Sequence, residues 1–179
     1  APKDARAYVE LGHAYLNAGR GDEALKAFRK AADLDGDLAT AYNGLGLVHL
    51  KVRKDLHIAQ KYFRQALQKD RSFIEPQYHI AKAHMDAGNH SAKGEAERLV
   101  KMDSTYAPGY LLLARWHEVR QKYEGALGYY RKYMALRPDD QEVGFNVGLA
   151  LLAQDRYDEA EAFAVGHLNA GPRYAVLAQ

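Results

Sequence analysis

The sequence repeats itself with a period near 34 residues, and this alone restricts the folds open to it. One ladder pairs an apolar residue with a small one: Leu11-Gly12, Leu45-Gly46, Ile80-Ala81, Leu113-Ala114 and Val147-Gly148. Its small members stand 34, 35, 33 and 34 residues apart. A second ladder is Ala24, Ala59, Ala92, Ala126 and Ala160, spaced 35, 33, 34 and 34. The irregularities cancel, as small changes in turn length would make them. A unit this short cannot bury its apolar face alone, so neighbouring units must complete one another's core.

Within each unit the apolar spacing is helical. Leu25, Phe28, Ala31 and Ala32 fall on one face of a helix, and so do Tyr62, Phe63, Ala66 and Leu67. The ladder residues mark where two helices approach closely, since a larger side chain would hold them apart. Leu at Gly46 or Gly148 should therefore overpack the contact and cost roughly 1–3 kcal/mol. Gly19 and Gly88 suit the left-handed end of a helix, and Asp22, Asp55 and Asn89 are the expected caps of the following helices. Asp35-Gly36-Asp37, Asp70-Arg71-Ser72, Asp103-Ser104-Thr105, Pro138-Asp139-Asp140 and Gly171-Pro172 separate the repeats. The predicted class is all-α, with five helix-turn-helix repeats.

Catalytic chemistry finds little support. There is no Cys, which removes disulfides, thiolate metal sites and a cysteine nucleophile. No Gly-rich phosphate loop or His-Glu-x-x-His motif occurs. Ser72, Ser91 and Ser104 fall near turns or helix starts. We expect a chain that is not an enzyme, with no catalytic residue, no metal and no cofactor. His49, His84 and His117 share the slot held by Tyr15 in the first repeat. First helices of neighbouring repeats sit roughly 10 Å apart, too far for three rings to converge on one ion, so a packing role is expected.

Twenty-five Lys and Arg against 23 Asp and Glu leave a net charge of +2, so no global charge points to nucleic acid or a membrane surface. No apolar run reaches the roughly 20 residues of a membrane span. Lys51, Arg53, Lys54, Lys61, Arg64, Lys69 and Arg71 do form a basic cluster with His57. They spread over a turn and a second helix without an aromatic stacking pair, which predicts a solvated outer face. The compartment stays open between cytoplasm and periplasm.

These features together resemble the tetratricopeptide repeat family. The first repeat supplies Tyr8, Leu11, Gly12, Tyr15, Ala24, Phe28 and Ala31 of the motif, and the second Tyr42, Leu45, Gly46, Ala59, Phe63 and Ala66. The fourth supplies Tyr110, Leu113, Ala114, Ala126, Tyr130, Tyr133 and Pro138, and the fifth Val147, Gly148, Leu151, Ala160 and Pro172. The third is weakest, with Ile80, Ala81 and Ala92 but Ala96 in the aromatic slot. The resemblance implies a right-handed α–α superhelix, a solenoid in one domain over 1–179. Its repeats would run over 5–38, 39–73, 74–106, 107–140 and 141–174, and 173–179 would open a truncated or capping helix. We expect a fragment of a longer protein in preference to a docked cap.

By the same resemblance the first helices line a concave groove that binds a peptide or protein segment. The implied partner-binding slots are Val9, His13, Asn43, Leu47, Leu50, Tyr78, Lys82, Met85, Leu111, Arg115, Glu118, Phe145, Leu149 and Leu152, with Lys51 beside Leu50. Val9, Leu47, Tyr78, Leu111 and Phe145 are expected to form an exposed apolar stripe, with Tyr78 and Phe145 as anchors and Lys82 and Arg115 pairing with a partner carboxylate. The Asn and Lys clamp of chaperone-binding members is missing, since its slots hold Val9, His13, Gly44, Glu75 and His79, or Asn43, Leu47 and Pro108 in the next frame. The expected function is a protein interaction scaffold, without nucleic acid or membrane insertion. The alternatives are self-association as a homodimer through a C-terminal edge carrying Val176 and Leu177, and a regulatory domain of a larger protein.

Overall fold

The computed structural model of the chain describes residues 4–168. Ten α-helices follow one another among these residues, and no strand occurs among them. They are α1 (Ala5–Asn17), α2 (Gly21–Leu34), α3 (Ala39–Lys51), α4 (Leu56–Lys69), α5 (Ile74–Asp86), α6 (Ala92–Met102), α7 (Ala107–Glu118), α8 (Tyr123–Leu136), α9 (Gln141–Leu152) and α10 (Tyr157–Leu168). Each expected repeat holds two of them, so the chain is an all-α repeat solenoid of five helix-turn-helix units. It divides into two compact units, residues 1–89 with α1–α5 and residues 90–179 with α6–α10. Pro172 and the tail 173–179 lie outside the described residues.

The turns inside the repeats share one device. Gly19, Lys54, Gly88, Gln121 and Asp155 all have left-handed backbone, with φ of 73°, 56°, 64°, 56° and 56°. Each lets the chain fold back so that amide groups beyond the helix reach its last carbonyls. Arg20 N donates to Tyr15 O at 2.8 Å, Asn89 N to His84 O at 2.9 Å, Lys122 N to His117 O at 2.9 Å and Arg156 N to Leu151 O at 3.2 Å. The second repeat has one residue more in this turn, and there Asp55 N reaches His49 O at 2.9 Å. The third has one fewer after Gly88, and α6 opens on Ala92 itself, where each other second helix opens three residues before its ladder Ala. From each second-ladder Ala to the next first-ladder residue the count is 22 throughout. The irregular period therefore belongs wholly to the turns within repeats.

Between repeats the Asp residues close local turns. Asp35, Asp70 and Asp103 accept from the backbone N–H two residues on, at 3.0, 2.8 and 2.8 Å. The hydroxyls of Tyr42 and Tyr110 donate to Gly36 O and Ser104 O across the same turns, at 3.0 and 3.1 Å. Capping differs from expectation. Asp55 caps α4 through Ile58 N at 3.0 Å, but Asp22 lies inside the first turn of α2 and pairs with Arg53, and Ser91, not Asn89, precedes α6. Asp4 and Asp140 cap α1 and α9.

All ten ladder residues, Gly12, Ala24, Gly46, Ala59, Ala81, Ala92, Ala114, Ala126, Gly148 and Ala160, are buried. In the first unit the fully buried Phe28 ring lies against both Gly12 and Gly44. A Cβ on Gly12 would fall 2.6 Å from Phe28 Cε1, and one on Gly44 would fall closer still. Phe63 stands in the same relation to Gly46, at 2.5 Å. In the second unit Leu127, Tyr130, Tyr133, Val143, Val147 and Leu151 belong to one buried core cluster.

Candidate functional site

In the first unit the C-terminal end of α3, the turn after it, the start of α4 and one face of α5 line a cleft of about 600 Å³. Leu50, Lys51, Lys54, Leu56, Tyr78, His79, Lys82, Ala83, Asp86 and Ala87 line it. Helical spacing explains the α5 side, because Tyr78, Lys82 and Asp86 follow one another every four residues. Lys82 Nζ is 2.7 Å from Asp86 Oδ2, an exposed pair on one helix. The His79 ring stacks on Phe63 with centroids 5.3 Å apart and is tilted against Tyr78 at 5.6 Å. Burial, reinforced by Lys51 and Lys82, pushes the His79 imidazole down to about 4, so it is neutral at pH 7.

The other first-unit slots are less open than the sequence suggested. Val9 and Leu47 were expected on an exposed stripe, yet they are 5% and 7% exposed. Val9 is closed in by Phe28, Leu45 and Val48, and Leu47 by Phe63 and Ile80, because neighbouring helices cover what a single amphipathic helix would leave bare. Asn43 is buried with its side-chain oxygen unpartnered. His13 is half-buried, edge-on to Phe28 at 5.1 Å, and Met85 is half-buried on α5. The cleft thus brings together Leu50, Tyr78 and Lys82, and adds Lys54, Leu56, His79 and Asp86. Motif slots counted along the first helix missed Lys54 and Leu56, which come from the turn and the second helix.

In the second unit Leu111 and Leu152 rest on the core, Phe145 is half-buried and Leu149 is exposed. The polar slots there have internal partners. Arg115 lies 3.9 Å from Glu142, and Glu118 accepts from the Tyr130 hydroxyl at 2.9 Å. The Tyr133 hydroxyl donates to Asp140 at 2.5 Å, and burial with this bond raises it to about 12. These are bonds that satisfy buried phenols at helix ends.

The shared histidine slot is one of ring packing. His49 stacks on Tyr62 at 5.4 Å, and His117 sits between Trp116 and Tyr129 at 5.0 and 5.3 Å. Neither ring has a hydrogen-bond partner on either nitrogen, and burial lowers both pKa values. His84 is buried with its Nε2 against the Gln60 amide. Among the described residues no three His, Asp or Glu side chains are placed to hold a metal ion. No described helix is long and apolar enough to cross a membrane.

The basic cluster of the second repeat does not share one solvated face. Arg53 pairs with Asp22, and Lys69 with Asp37 at 2.8 Å, each tying adjacent repeats. Lys51 and Lys54 face the cleft, while His57, Lys61 and Arg64 line a separate polar depression on α4.

Residues 3–72 and 111–175 each match the tetratricopeptide repeat family. Superkiller complex protein 3 of Mus musculus is 29% identical over 143 residues, 76% of this chain. The Homo sapiens protein is 28% identical over 138 residues, 73% of this chain. The chain spans 9% of the length of these curated relatives. Among solved structures, pilF of Pseudomonas aeruginosa superposes with a TM-score of 0.80 at 20% identity, over 97% of this chain and 80% of that one. A MamA structure superposes at 0.75 with 19% identity, over 93% and 91%. YrrB, described as a TPR protein with an unusual peptide-binding site, superposes at 0.69 with 18% identity, over 98% and 90%. At such identities the likeness is one of fold.

Proposed function

The chain belongs to the tetratricopeptide repeat family, and on that premise we propose that it is a non-catalytic scaffold that binds a peptide or protein segment along its first helices. The cleft carries this reading, because Leu50, Tyr78 and Lys82, three implied groove slots from two repeats, line a single opening. Chains of this family generally act as protein interaction scaffolds, and the peptide site attributed to YrrB is a precedent on the same fold. The proposal includes the right-handed winding and the single domain that the resemblance implies.

The test is capture of partners from native lysate by the wild-type chain beside a Tyr78→Ala, Lys82→Ala variant of unchanged helical circular dichroism and melting temperature. Partners held by the wild type and lost by the variant support the groove. Equal capture by both removes the cleft as the recognition surface. Self-association is the second reading, and one observation favours it: Leu127, Met134, Val147, Leu151 and Phe163 line a cleft of about 450 Å³ where α8, α9 and α10 meet. Val176 and Leu177, its expected edge residues, lie outside the described residues. Sedimentation equilibrium over a range of concentrations separates it from partner binding.

A further inference from the structure

We propose that the cleft between α3 and α5 selects an acidic segment of its partner, one in which Asp or Glu side chains flank an apolar residue. This rests on the groove-binding reading above and narrows it to one chemistry. Three ammonium groups, Lys51, Lys54 and Lys82, line the cleft against one carboxylate, Asp86. Among the described residues Asp86 pairs with Lys82, through an exposed contact four residues along the same helix, which is a weak tie. Neither Lys51 nor Lys54 has an ionic partner among the described residues, whereas the neighbouring cations Arg53 and Lys69 are each paired across repeats.

The cleft lining thus carries an excess of positive charge in a chain whose net charge is only +2. The mostly buried His79 in its wall senses that field, because Lys51 and Lys82 both disfavour its protonation. Leu50, Leu56 and Ala83 supply an apolar surface beside the charges, with room for one apolar side chain. Lysines are mobile point charges and hold single carboxylates without fixing their geometry, so the cleft reads charge and tolerates variation in sequence. A nucleic acid fits less well. No Arg lines the cleft, and the half-buried Tyr78 ring is turned against His79 at 60°, which leaves no open stacking platform.

The experiment uses the full chain and three fluorescein-labelled probes: a short peptide alternating Glu with Leu, the same peptide with Gln for Glu, and an oligothymidylate. The Glu peptide should bind at least about tenfold more tightly than the Gln peptide at low salt, and the preference should fade as salt rises. A Lys51→Gln, Lys54→Gln variant should lose about tenfold in affinity, and a Lys61→Gln, Arg64→Gln variant should lose none. In the wild type the His79 imidazole should titrate at higher pH when the Glu peptide is bound, a readout confined to this cleft and independent of the variants.

Equal binding of the Glu and Gln peptides overturns the acidic preference and leaves the groove reading standing. Tighter binding of the oligonucleotide, or an unmoved His79 titration, overturns the proposal as well. If no peptide binds, the acidic preference fails, and lysate capture with the Tyr78→Ala, Lys82→Ala variant decides separately whether the groove reading fails with it.

Discussion

Phe28 occupies its slot because two glycines leave it room, one from its own repeat and one from the next. Gly44→Ala should cost about 1–3 kcal/mol, read as a fall in the urea midpoint, because the ring it meets is wholly buried and cannot give way. Gly128→Ala on α8 meets nothing within 4 Å and should instead raise stability by roughly 0.5–1 kcal/mol, through lower entropy of the unfolded chain. Equal effects at the two positions would contradict the close-approach argument. Gly12 was legible as a motif glycine, but Gly44 was not, since its partner ring belongs to the preceding repeat. His79 gives a pH prediction. Its folded pKa lies below the unfolded value of 6.5, so its contribution is fully present above pH 6.5 and is lost as pH falls toward about 4. The unfolded chain takes up a proton that the folded chain refuses, a loss of roughly 3 kcal/mol over that window. Urea midpoints measured from pH 7 to 4 should fall less steeply in His79→Gln, and an identical slope would contradict this account.

The helices themselves were readable from periodicity, and their ends were readable only where a residue type dictates the backbone. Gly19 and Gly88 announced two of the five left-handed turns; Lys54, Gln121 and Asp155 hide the other three, because those side chains seldom adopt positive φ and the rest of the turn imposes it. Gln121→Gly should therefore raise stability by about 1 kcal/mol, while Gly19→Ala should lower it by a similar amount. Thermal melts of the two variants check the opposite signs. At the helix starts, Asp55→Ala should cost about 1 kcal/mol through its lost bond to Ile58 N, read as a lower melting temperature. Asp22 misled as a cap because α2 begins one residue earlier, at Gly21. There the lack of a Cβ admits Val52, and Asp22 is left to pair with Arg53 of the next repeat.

Across the whole chain, the single-domain reading predicts one cooperative transition. The one Trp, Trp116, reports on the second unit, so Gly44→Ala in the first should shift the Trp fluorescence midpoint as far as the helical circular dichroism midpoint. A shift in circular dichroism alone would mean that the units unfold separately. The sequence by itself determined the class, the repeat length and the ten buried ladder positions, because a helical period and a small residue at each close contact are local requirements that composition cannot disguise. Tertiary structure decided which groove slots are open. Val9 and Leu47 carry the same apolar signal as Leu50, but helix neighbours bury the first two and leave the third on the cleft. It also decided which charges are spent: Arg115, Glu118, Arg53 and Lys69 find partners within the fold, and Lys51 and Lys54 have no ionic partner among the described residues. Exposure and pairing depend on residues some 30 positions away, and a one-helix pattern carries no record of them.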